Sequence, residues 1–167
     1  MNSETPAPSV DAYVGLGANL GDAAAAISAA WQALATLPCT QLVARSSLYT
    51  SAPVGAQGPD FINAVAQLRT GLPPLELLLA LQQIETLAGR QRPYANAPRT
   101  LDLDLLLHGP TVCHTPQLTL PHPRLHQRRF VLWPLHEIAP HLHLPGLGPL
   151  QRWLPLVAHQ AVRRLPG

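Results

Sequence analysis

Apolar positions along the chain follow two periods, and the switches between them outline the elements. Residues 12–16 form a short apolar run that breaks into Gly17-Ala18-Asn19-Leu20-Gly21, a buried strand feeding a turn. Residues 23–37 are alanine-rich and nearly free of breakers. Asp22 stands where a capping residue belongs and Pro38 ends the run, so the pattern predicts a helix. Residues 42–49 have β-character and lead into Ser51, Ala52, Pro53, Val54, Gly55, Gly58 and Pro59, a stretch too rich in breakers to be an element. Residues 61–69 alternate large with small or polar side chains and predict a strand. Beyond Gly71 and Pro73-Pro74, residues 75–88 predict a second helix, with Gly89 just past its end. Residues 90–99 are polar, contain prolines and have no period, whereas 100–107 predict a strand. The remainder is proline-broken, with helical stretches predicted around 126–133 and 150–164.

The order is β-α-β-β-α-β followed by a C-terminal elaboration. It specifies an α+β, ferredoxin-like fold, an antiparallel sheet with helices on one face. No repeat or linker divides the chain, so residues 1–167 are expected to form a single domain, with 1–11 a loose N-terminal extension. A chain that is 47% hydrophobic and 12% charged can build a packed core. The greasiest stretch, 72–81, contains Pro73, Pro74 and Glu76 and is too short to span a bilayer. The first ten residues lack the basic and apolar regions of a signal peptide, so a cytoplasmic protein is expected. Cys39 and Cys113 form no CxxC, and reduced, inert thiols are the expectation.

A net charge of +2 gives no reason to expect a nucleic-acid or membrane partner. The identity of the cations says more, because all 11 are arginine and lysine is absent. P-loop and protein-kinase chemistry, which place a lysine on the phosphates, are thereby excluded, as is Schiff-base chemistry. Any phosphate bound here must be held by arginine, backbone amides or a metal.

Arg99-Thr100-Leu101-Asp102-Leu103-Asp104-Leu105 is the sharpest local feature. On a strand, residues two apart share a face, so Asp102 and Asp104 emerge together, about 7 Å apart at Cα, while Leu101, Leu103 and Leu105 point into the core. Two neighbouring anions on an apolar strand favour a shared cation, and oxygen ligands that leave most of the coordination sphere open suit Mg²⁺ carrying phosphates. A solvated strand face is the alternative. Arg90, Arg92, Arg99, Arg124, Arg128 and Arg129 fall within 40 residues whose only carboxylates are these two aspartates. Guanidinium forks match phosphate oxygens, and this charge layout suits a polyphosphate–Mg²⁺ complex.

Other motifs carry less. Gly15-Leu16-Gly17-Ala18-Asn19-Leu20-Gly21 has its third glycine one place late and no acid between Asp22 and Asp60, so it is no dinucleotide fingerprint. His136-Glu137-Ile138-Ala139-Pro140-His141 is not a zinc-protease motif. Phe61 and Asn63 share one strand face, where a ring beside a planar amide could stack on a flat heterocycle and read its edge. A core phenylalanine beside a turn-bonded asparagine would explain the same pair.

At these residues the chain resembles the 6-hydroxymethyl-7,8-dihydropterin pyrophosphokinases of folate biosynthesis, from Tyr13 to about Pro140. The resemblance is carried by Gly17-Ala18-Asn19-Leu20, Ser46-Ser47-Leu48-Tyr49 leading to Pro53-Val54-Gly55, and Asp60-Phe61-Ile62-Asn63-Ala64. Pro98-Arg99-Thr100-Leu101-Asp102-Leu103-Asp104, Pro121-His122-Pro123 and the run from Arg128 to Leu135 complete it.

The resemblance implies transfer of diphosphate from ATP to the hydroxymethyl group of the reduced pterin, with release of AMP. It implies two Mg²⁺ ions on Asp102 and Asp104, and a catalytic set of Arg90, Arg99 and the two aspartates. ATP contacts would come from Gln82, Glu85, Arg90, Arg92, Arg99, Thr119, His122 and Arg128. The pterin would lie between Phe61 and Phe130, read by Asn63 and by Ser51, Pro53, Val54 and Gly55. Loops near 18–22, 51–60 and 90–98 would close over the substrates. The chain departs from the family in having Asn96-Ala97 where a tryptophan often stands, with Tyr94 nearby, and in having Gln117 and Pro123 at two positions that can contact ATP. ATP and the reduced pterin are the expected partners of a monomer. A catalytically silent ligand-binding module and a metal-dependent phosphohydrolase are the rival readings.

Overall fold

A computed structural model describes residues 9–19, 22–52, 60–89 and 101–166. Its centre is an antiparallel pair, β1 (Val10–Ala18) and β4 (Phe61–Thr70), matched residue for residue along the whole length of β1. β5 (Asp102–His108) lies on the other side of β1, also antiparallel, with one irregularity at Tyr13/Val14. The outer flank of β4 is shared by two short strands. β2 (Thr40–Arg45) pairs with its C-terminal half and β3 (Tyr49–Ser51) with its N-terminal end. Counting β2 and β3 as one interrupted strand gives the ferredoxin-like order expected from the element sequence.

α1 (Ala23–Ala35) and α2 (Pro74–Gly89) cover one face of the sheet. Asp22 caps α1 as its position suggested, its carboxylate accepting the Ala25 N–H at 3.0 Å. Ile27, Leu34, Leu77 and Leu81 are fully buried against Val14, Leu16, Leu68, Leu103 and Leu105. Each such aliphatic burial is worth about 1.5–3 kcal/mol.

Among the described residues, the second face is covered at one end. There α3 (Arg129–Ile138) places Val131, Leu132 and Leu135 on Tyr13, Val65 and Leu106, forming a separate apolar cluster. A 3₁₀ turn, Leu125–Gln127, precedes α3. β6 (Cys113–His114) and β7 (Thr119–Leu120) form a small hairpin, as do β8 (His143–Leu144) and β9 (Gly148–Pro149).

The helix expected over 150–164 is not there. Pro149 and Pro155 restrict this apolar stretch to two 3₁₀ turns, Leu150–Arg152 and Pro155–Val157, which bury Leu150 and Val157. The chain then extends as β10 (Val162–Arg164) and adds to the sheet beside β3. Helix α3 also begins later and runs further than the 126–133 stretch that predicted it. Cys39 and Cys113 are unbridged. No helix among the described residues is long and apolar enough to cross a membrane.

Candidate active site

Among the described residues, the other end of the second face forms a cleft of about 730 Å³, and the register of three strands builds its floor. Asn63, Gly17 and Asp102 lie in one row across β4, β1 and β5, and Val65, Gly15 and Asp104 in the next. The two glycines put no side chain of their own between the flanking strands, and both aspartates line the cleft. Leu101, Leu103 and Leu105 are buried on the helix side, as strand alternation requires, whereas Asp102 is half-buried and Asp104 exposed.

One wall is polar and aromatic. The Ser51 hydroxyl donates to Asn63 Oδ1 at 2.7 Å, and both residues are buried. That bond assigns the amide's orientation and leaves Nδ2 as its donor. Phe61 lies beside them, and Phe130, on the first turn of α3, lines the same cleft. Arg124 and Arg128 also line it, with the Arg128 guanidinium 5.5 Å from the Phe130 ring centre.

Asp104 borders a second, smaller cleft of about 260 Å³, lined also by Leu78, Gln117, Thr119 and His122. Burial holds the His122 imidazole below its ordinary pKa. The Asp104 carboxylate opposes this shift, and Arg128 and Arg124 reinforce it. His122 Nδ1 accepts the Arg124 backbone N–H at 3.1 Å, which fits a neutral ring.

The structure therefore gathers Ser51, Phe61, Asn63, Asp102, Asp104, Arg128 and Phe130 around one cleft, and Thr119 and His122 around its neighbour. Gln82 and Glu85, on α2, line neither. Glu85 Oε2 accepts the N–H of Leu103, the residue between the two aspartates, at 2.9 Å. Arg90, Arg92, Arg99, Pro53, Val54, Gly55 and Tyr94 lie outside the described residues, as do most of the three loops expected to close.

Arg129, counted in the cationic cluster, is used elsewhere. Its guanidinium donates to the Ala158 and Gln160 carbonyls and stacks on Trp133 at 3.8 Å. Two contributors were not foreseen. Gln160 lines the large cleft from the C-terminal tail. Glu137 ties α3 to the break between β2 and β3, accepting the Ser47 N–H and hydroxyl and the Tyr49 hydroxyl at 2.7–3.1 Å, with Arg164 3.6 Å away.

Among the described residues no cluster of three or more His, Cys, Asp or Glu forms a metal cage. Two carboxylates on one strand face, lining a cleft that Arg124 and Arg128 also line, instead suit a hard cation that keeps most of its sphere for a phosphate ligand.

The sequence profile of the 7,8-dihydro-6-hydroxymethylpterin-pyrophosphokinases matches residues 13–140. A Pseudomonas aeruginosa 2-amino-4-hydroxy-6-hydroxymethyldihydropteridine pyrophosphokinase is 47% identical over 93% of this chain and 96% of its own length. The Haemophilus influenzae enzyme of the same name is 47% identical over 82% of this chain and 86% of its own. Among solved structures, a Plasmodium falciparum HPPK-DHPS superposes with a TM-score of 0.74 at 14% identity. That match covers 92% of this chain, which spans 46% of the longer protein, and shows likeness of fold.

Proposed function

The chain belongs to the 7,8-dihydro-6-hydroxymethylpterin-pyrophosphokinase family, and from that premise we propose how its two clefts divide the work. The enzyme is an ATP-dependent diphosphokinase of folate biosynthesis, transferring diphosphate to the hydroxymethyl group of the dihydropterin.

In this reading the pterin occupies the large cleft. Phe61 and Phe130 hold the flat ring, and Asn63, fixed by Ser51, presents its amide to the ring's donor–acceptor edge. The nucleotide occupies the smaller cleft beside Thr119 and His122. Its phosphates cross toward the pterin over Asp104, and Arg128 engages them with its guanidinium. Arg90, Arg92 and Arg99 belong to the same grip by their place in the family motif.

Asp102 and Asp104 are the residues that would hold Mg²⁺, two ions in the family pattern. When bound, the metal supplies neutralisation of the charge that builds on the transferring phosphates. The protein's own part is positional, since it brings an alcohol and a phosphorus chain together and orients them.

The observation that carries this reading is the place of Asp104, the acidic residue that borders both clefts. Incubation with ATP, Mg²⁺ and 6-hydroxymethyl-7,8-dihydropterin tests it. AMP that appears only when the pterin is present supports the transfer. Phosphate released without pterin would indicate hydrolysis and overturn it, as would a lack of any turnover.

A further inference from the structure

We propose that Gln160, in the C-terminal tail, is a positioning residue that sets where Arg128 presents its guanidinium to the nucleotide's phosphates. The inference rests on the assignment of Arg128 to those phosphates. Gln160 itself lies beyond residues 13–140, the stretch matched by the family profile.

Arg128 occupies a joint. The 3₁₀ turn Leu125–Gln127 ends immediately before it and α3 begins immediately after it, while Arg128 itself is extended, with φ −124° and ψ 113°. A helix start leaves its first backbone N–H groups without intrahelical acceptors, and here no side chain at the cap position supplies one. Gln160 does so from a distant part of the chain. Its Oε1 accepts the Arg129 N–H at 2.8 Å, and its Nε2 donates to the Gln127 carbonyl at 2.8 Å. One planar amide thus bridges the peptide groups on both sides of Arg128.

The brace is itself anchored. Arg129 Nη1 donates to the Gln160 carbonyl at 2.7 Å and to the Ala158 carbonyl at 3.1 Å, and its guanidinium carbon lies over the Trp133 ring, 3.8 Å from the ring centre. Residue 160 is therefore tied to α3 through its main chain while its side chain holds the joint. Gln160 is neutral, and both polar ends of its amide are engaged by backbone. Its influence on a bound phosphate accordingly passes through Arg128, not through charge of its own.

The test compares Gln160→Ala, Gln160→Met, Arg128→Ala and the Gln160→Ala/Arg128→Ala double variant in the full chain. Gln160→Met keeps the length of the side chain and removes both hydrogen bonds. ATP and dihydropterin affinities are measured by titration, turnover by AMP formation, and folding by thermal unfolding. Both Gln160 variants are expected to raise the ATP dissociation constant and KM roughly tenfold, with kcat nearly unchanged and a clearly smaller loss of dihydropterin affinity, since Gln160 also lines the large cleft. In the double variant the Gln160 effect should vanish, because Arg128 is no longer there to be positioned. Wild-type ATP affinity in Gln160→Ala and Gln160→Met would overturn the proposal, as would losses that multiply in the double variant. Equal weakening of ATP and dihydropterin would also overturn it, indicating general loosening. If Arg128→Ala alone leaves ATP affinity unchanged, the assignment of Arg128 fails and the proposal falls with it. If Arg128→Ala weakens ATP binding and the Gln160 variants do not, only the proposal falls.

Discussion

Gly17 of β1 stands directly across the ladder from Asp102 of β5, with Asn63 of β4 on its other side. Proposed pterin reader and proposed metal ligand are thus separated by a residue without a side chain. A Cβ built at Gly17 would lie 3.3 Å from Asn63 Nδ2, closer than ordinary van der Waals contact. Asn63 has little freedom to yield, because its Oδ1 is held by Ser51 at 2.7 Å. Gly17→Val should keep the sheet but lower kcat/KM by on the order of tenfold or more, since small displacements of positioning groups cost heavily. Steady-state kinetics with both substrates checks this.

The Ser51–Asn63 bond gives a second expectation. Ser51→Ala removes the donor that orients the amide and leaves a buried acceptor without its partner. The dihydropterin KM should rise roughly tenfold, corresponding to about 1–1.5 kcal/mol, while the ATP KM stays near its wild-type value. Separate titrations of the two substrates distinguish this outcome from a general loss of activity.

Glu137 makes a stability prediction. It receives three bonds from Ser47 and one from Tyr49, and its side chain is 23% exposed. Burial acts to raise its pKa, but the hydroxyl and backbone bonds and the Arg164 charge outweigh it, and the carboxyl lies below its ordinary value. Tyr49 is shifted the opposite way by burial and by Glu137, and so remains a neutral donor. Glu137→Ala should destabilise the protein by about 1–3 kcal/mol by freeing α3 from the β2–β3 break.

The same carboxylate fixes a sign for pH. Because its pKa is lower folded than unfolded, its contribution is complete above the ordinary glutamate value of about 4.3 and is lost as pH falls through the folded value. The stability gap between wild type and Glu137→Gln should therefore be constant near neutrality and shrink below about pH 4. Denaturant unfolding across that range measures it.

Much of this arrangement was legible before any coordinates. The Asp102-Leu103-Asp104 alternation specifies its own geometry once it lies on a strand, because period 2 places the carboxylates on one face and the leucines on the other. The two main helices were equally readable, since Asp22 and the Pro73-Pro74 pair mark their starts with local chemistry. The tail was not. Leu150, Trp153, Leu154 and Val157 have helical spacing, and only tertiary packing decides that Pro149 and Pro155 prevail and that residues 162–164 join the sheet. Glu137 drew notice only for failing a zinc motif, because its partners Ser47 and Tyr49 are about 90 residues away. Gln160 carries no local signal, and its partners were unknowable without the fold.

The central claim is that Asp102 and Asp104 together hold the divalent ions on which transfer depends. AMP formation at saturating ATP and dihydropterin, titrated with Mg²⁺, measures it most directly in wild type, Asp102→Ala and Asp104→Ala. Each variant should retain the wild-type circular dichroism spectrum and lose roughly a thousandfold or more in turnover, the several kcal/mol that metal-assisted charge neutralisation supplies. Wild-type-like turnover with an unchanged Mg²⁺ dependence in either variant would contradict it.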